Sequence, residues 1–77
     1  MMVMLETLEL EDREVFWQVM TEALPQLTVM QRQCLLMSII GLEQSVISRI
    51  LGVSQMVVSY HFNNALEIIE VIAREYV

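Results

Sequence analysis

Lysine is absent from this chain of 77 residues, and four arginines face ten acidic side chains. A formal charge of −6 argues against a broadly basic coat whose grip on nucleic acid comes from counterion release over its whole surface. Turn-forming residues are scarce as well, with two glycines and one proline. That scarcity disfavours an all-β chain, which needs a turn every few residues, and favours an all-α domain. Cys34 is the only cysteine, so no intramolecular disulfide can form and a reducing compartment is expected. Long apolar runs are missing too. Cys34 to Met37 and Ile39 to Leu42 are interrupted by Ser38 and are too short to span a bilayer. The opening MMVML has no basic flank, unlike a secretory leader, so the expectation is a soluble, cytoplasmic protein with no membrane role.

Catalytic signatures are lacking in the same way. The sequence holds no glycine-rich phosphate loop and no plausible triad. His61 is the only histidine and lies far from Cys34 in sequence. No metal, cofactor, small-molecule substrate or catalytic residue is therefore expected, and the chain does not read as an enzyme.

What is present is apolar. Hydrophobic residues make up 56% of the chain, mean hydropathy is +0.55 and methionines number seven. A chain this short sits near the lower limit for a self-sufficient core, so residues 1–77 are read as one small domain with apolar surface left for a partner. Charge divides it into three parts. Residues 1–22 carry six carboxylates against Arg13, net −5; residues 23–66 carry Arg32 and Arg49 against Glu43, net +1; residues 67–77 are net −2. The central part is the one that DNA would not repel.

Helical periodicity accounts for nearly everything, in four or five helices. Phe16, Val19, Met20 and Ala23 predict a helix over Asp12 to Leu24, ended by Pro25. Residues 1–11 are read as a short extra helix with Leu5 and Leu8 inward, or as a frayed arm. Thr28 and Gln31 form a capping box for a second helix with Val29 or Met30, Cys34, Met37 and Ile40 on one stripe, stopped by Gly41. Cys34 is read as a small core residue. From Glu43 to Leu51, Val46, Ile47, Ile50 and Leu51 predict a short helix; Gly52 then permits a tight turn and Ser54 caps the next helix. There Val58, Phe62, Ala65, Leu66 and Ile69 share a buried face, and Gln55, Met56, Ser59, Tyr60 and Asn63 share the opposite one. Small Ser48 is placed where the two short helices cross.

These elements read as a helix-turn-helix. Residues 24–66 resemble region four of bacterial sigma factors and the related DNA-binding domain of LuxR-type regulators, in register through LPQLTVMQRQCLL, GLEQSVISRILGVS and VSYHFNNAL. Leu27, Thr28, Gln31, Arg32, Ile47, Leu51, Gly52, Ser54, Val58, Ser59, Ala65 and Leu66 stand at family-like positions. The resemblance implies promoter DNA as ligand, read by the second helix of the motif, with RNA polymerase as a possible partner. Where the family usually has basic residues, this chain has Gln55, Tyr60, Asn63 and Asn64.

Such a face can specify without gripping strongly. Gln55 and Asn63 can pair with adenine, Ser59 with several bases, and Met56 or Tyr60 can pack on thymine methyls. Arg32 and Arg49 are candidates for phosphate contacts and equally for ordinary solvated arginines, and His61 is read as a boundary residue. A second subunit, or polymerase already on the promoter, would restore affinity. Trp17 and Tyr76 read as packing residues. Along the C-terminal helix Leu66, Ile69, Ile72 or Ala73, and Tyr76 form one stripe and Ile68 and Val71 another, giving a dimer or partner interface of Ile68, Val71, Ile72, Glu75 and Trp17. The leading expectation is a sequence-specific transcription regulator that binds double-stranded DNA as a homodimer or together with RNA polymerase. An alternative is an interaction protein that binds polymerase or a sigma factor through its acidic N-terminal segment. The DNA-binding piece of a phage packaging protein is a third reading.

Overall fold

The computed structural model describes residues 13–76, which fold as a small all-α domain. Four α-helices follow in order: α1 (Arg13–Ala23), α2 (Val29–Ile39), α3 (Gln44–Leu51) and α4 (Gln55–Ala73). Short 3₁₀ turns at Leu24–Gln26 and Arg74–Tyr76 complete the described chain. Asp12 and the possible extra helix of residues 1–11 lie outside the described residues.

Helix α1 buries Phe16, Val19, Met20 and Ala23, the stripe that its periodicity predicts. Pro25 does not simply end it. The chain tightens into a 3₁₀ turn, and the Leu27 amide donates to the Leu24 carbonyl at 3.2 Å. Thr28 then caps α2: its hydroxyl accepts from the Gln31 amide at 3.1 Å, and its own amide donates to Gln31 Oε1 at 2.9 Å. Two otherwise orphaned amides are thereby satisfied by one side-chain pair.

Helix α4 is the axis on which the other three pack. Its C-terminal half joins α1 and Leu35 of α2 in a large cluster with Ala65, Ile69, Ile72 and Ala73 buried. The N-terminal half joins α2 and α3 in a smaller cluster around Cys34, Ile47 and Val58. Phe62 touches both. Each large aliphatic side chain fully buried in this way contributes about 1.5–3 kcal/mol of transfer free energy.

Helix α2 departs from its expected single stripe. Cys34 faces the small cluster and Leu35 the large one, while Val29 and Ile40 are exposed. A helix wedged between two clusters needs two narrow apolar strips, and the 30, 34, 37 strip is only one of them. Helix α3 differs similarly: Ile47 is buried, Leu51 packs partly, and Ile50 lies in solvent. Its inward face is set by Ile47, Ser48 and Leu51, so Ile50 turns outward and Val46 is left half-buried at the edge.

Among the described residues, no helix is long and apolar enough to cross a membrane.

Candidate nucleic-acid interface

The face expected to read DNA begins at a turn built by backbone geometry. Gly52 has φ 69° and ψ 34°, a left-handed conformation that costs a residue with a Cβ about 1–2 kcal/mol. Its amide and the Val53 amide both return to the Ser48 carbonyl, the latter at 3.0 Å, and Val53 packs on the small cluster with Ile47. This is a glycine-ended helix closed by an apolar residue just beyond it. The end of α2 repeats the device. Gly41 has φ 98°, its amide donates to Ser38 and the Leu42 amide to Met37, both at 3.1 Å, and Leu42 enters the same cluster.

Each turn launches a helix, but the two starts are unequal. Ser54 accepts from the Val57 amide at 3.2 Å, whereas Glu43, at the equivalent position before α3, makes no side-chain cap. Ser48 is buried and satisfies its hydroxyl by donating to the Ser45 carbonyl at 2.8 Å. The first residues of α4 are thus fixed by Gly52, Ser54 and Ser48 together.

On that rigid start, Gln55 and Asn63 are exposed and Ser59 half-buried. Asn63 Nδ2 lies 3.5 Å from Ser59 Oγ, at the limit of a hydrogen bond. Met56 is 82% exposed and Tyr60 56%. Asn64 sits at the edge of the face, half-buried. The Tyr60 and His61 rings lie 5.3 Å apart and tilted by 39°, and His61 Nδ1 is buried without a hydrogen-bond partner among the described residues. The structure therefore brings together Gln55, Met56, Ser59, Tyr60 and Asn63 on one side of α4. Val57 on α4 and Ile50 on α3 are also exposed, which helical spacing alone does not predict.

The two central arginines part company. Arg49 is exposed, with Nε 3.4 Å from the Ser45 carbonyl. Arg32 is half-buried and donates from Nη2 to the Leu27 carbonyl at 3.2 Å, and its Nε is buried without a partner among the described residues. Each arginine thus donates to one backbone carbonyl, Arg49 from an exposed position on α3 and Arg32 from a half-buried one at the start of α2.

The expected partner interface is rearranged. Ile72 is buried in the large cluster, and half-buried Ile68 packs against it. Val71, Glu75 and Trp17 are exposed. Trp17 and Tyr76, expected to pack, are both partly exposed; Trp17 meets the Phe16 ring edge-on and Tyr76 lies on the 3₁₀ turn that follows α4.

Cys34 is fully buried, and burial pushes its thiol pKa upward, since the thiolate would lose hydration. A core role fits that position. No group of residues suited to holding a metal ion occurs among the described residues. The chain matches no protein-family model, no curated protein and no solved structure.

Proposed function

We propose that the protein is a small DNA-binding transcription regulator whose reading element is the first half of α4, in a helix-turn-helix formed with α3. The observation that carries this reading is the row of exposed Gln55, half-buried Ser59 and exposed Asn63, spaced by one helical turn and presented beyond a tight glycine turn. Amide side chains in such a row match the donor and acceptor edges of adenine, and exposed Met56 and Tyr60 match thymine methyls. The resemblance to sigma region four over residues 24–66 supports the same assignment. Grip is the weak element. With Arg49 the exposed arginine of the α3–α4 pair, a monomer binds with few phosphate contacts and a shallow salt dependence, and a second copy or RNA polymerase supplies the remaining affinity.

An Asn64→Arg substitution tests whether α4 lies on DNA. It places a cation at the edge of the face, so affinity for any duplex rises and the slope of log affinity against log salt steepens by about 0.9. An unchanged slope rejects α4 as the DNA-facing helix.

A second reading, an interaction protein with little DNA affinity of its own, is favoured by a separate observation. Trp17 and Tyr76 stand exposed beside carboxylates, on surface that DNA would avoid.

A further inference from the structure

Trp17 is the largest side chain in the protein and is 57% exposed. It is nevertheless held in place: the buried ring of Phe16 meets it edge-on at 5.8 Å and 70°. Trp17, Gln18, Thr21 and Glu22 share the outer face of α1 at one-turn spacing, and Thr21 Oγ1 donates to the Trp17 carbonyl at 2.7 Å. The C-terminal 3₁₀ turn brings Tyr76 across to this face, where its hydroxyl donates to Glu22 Oε2 at 3.2 Å. These five residues line an open groove between α1 and the end of the chain.

The chemistry of that groove is specific. Glu22 forms no ion pair with a described residue, and a single neutral phenol holds one of its oxygens. Two aromatic side chains, Trp17 and the 41% exposed Tyr76, share the groove with the carboxylate. Aromatic faces attract cations, and a carboxylate beside them selects a cation that can stack and donate at once. Guanidinium does both because it is planar and presents a fork of N–H donors; an ammonium is a compact, strongly hydrated point charge. Exposed Glu75 on the adjoining turn adds to the negative potential. We propose that this groove docks an arginine side chain presented by a basic segment of a protein partner.

The site is independent of DNA reading. Tyr60 and Tyr76 are sixteen positions apart in sequence, which along a helix is about 24 Å, so the α4 face and the groove can be occupied together. The surface excluded from DNA by its charge thereby gains a positive partner.

Trp17 is the only tryptophan, so its fluorescence reports on the groove directly. The full chain is titrated with a capped tetra-arginine peptide and, separately, a capped tetralysine peptide. The expected result is a saturable change in Trp17 emission, with arginine binding at least about threefold more tightly than lysine. Glu22→Gln weakens the arginine peptide by about tenfold, whereas Glu67→Gln, which removes the same charge from an exposed position on α4 outside the groove, weakens it less than about twofold. Tyr76→Phe keeps the ring and releases the carboxylate, so binding is retained or tightened; circular dichroism confirms that each variant is folded. Equal weakening by Glu22→Gln and Glu67→Gln, equal affinity for the two peptides, or no saturable change overturns the proposal.

Discussion

The two ends of α4 stand on unequal foundations. Among the described residues, ten buried side chains gather around its C-terminal half and three around its N-terminal half. Beneath the smaller cluster, two glycine-ended helices and the Ser54 cap do what apolar burial does at the other end. The proposed reading face therefore rests on local backbone geometry more than on core. The larger core and the polar row are correspondingly separated along one helix: the end with more burial is not the end that presents the row.

Matched core substitutions give the largest test of this contrast. Ile69 and Ile47 are both fully buried, one in each cluster. Ile69→Ala removes a side chain from the large cluster and costs about 4 kcal/mol, because its packed surroundings relax little. Ile47→Ala costs less, about 2–3 kcal/mol, since flexible Met30 and Met37 line the small cluster and can fill part of the space. Urea unfolding of both variants measures the difference, and equal losses would show that the two clusters respond alike.

Backbone substitutions come next in size. Nothing lies within 4 Å of a Cβ built on Gly52, so Gly52→Ala isolates the conformational cost, about 1–2 kcal/mol. Ser54→Ala exposes the other device and costs about 1 kcal/mol. Both losses should appear in thermal or urea unfolding, and hydrogen exchange should locate increased opening at the first turn of α4. Opening spread evenly over the helix would contradict a locally built start.

The two groups with shifted pKa values give the smallest effects, one at each end of the same contrast. Burial raises the Cys34 pKa, and a raised folded value means that the neutral thiol's stabilising contribution is complete below the unfolded pKa and is lost as pH climbs through the folded one. Thiol reagents should consequently react with Cys34 slowly until the protein unfolds, and stability should decline above about pH 9. Tyr76 is raised mainly by its hydrogen bond to Glu22, and by the same sign its link to α1 persists at neutral pH and is lost above about pH 10. Absorbance titration of the phenols, comparing the protein with Tyr76→Phe, checks the second shift.

Much of the fold was legible because its signals are local. The capping box at Thr28 and Gln31, the Ser54 cap, the stops at Gly41 and Gly52, and the stripe Phe16, Val19, Met20, Ala23 each depend on residues within two helical turns. Tertiary packing hid the rest. Leu35 and Cys34 are neighbours in sequence yet serve different clusters, and no single period exposes a helix packed on two sides. Whether Ile50 points inward is not decided by sequence because two adjacent i, i+4 pairs on α3 are equally apolar, and only tertiary packing chooses the pair Ile47 and Leu51. On the candidate site, the grouping of Gln55, Met56, Ser59, Tyr60 and Asn63 follows from helical spacing alone. The groove does not, because Glu22 and Tyr76 are 54 positions apart and meet only after the last turn narrows.

The central claim is that the polar row of α4 reads base edges, and the most direct measurement is binding selection from random duplex DNA. It is run on the protein and on a Gln55→Ala, Asn63→Ala double variant at one salt concentration. The account predicts that the native protein enriches a defined sequence. It further predicts that the double variant loses about 1–3 kcal/mol of discrimination per removed contact, while helicity and melting temperature stay nearly unchanged because both side chains are exposed. The same enriched sequence from both proteins, or no enrichment by the native one, would contradict it.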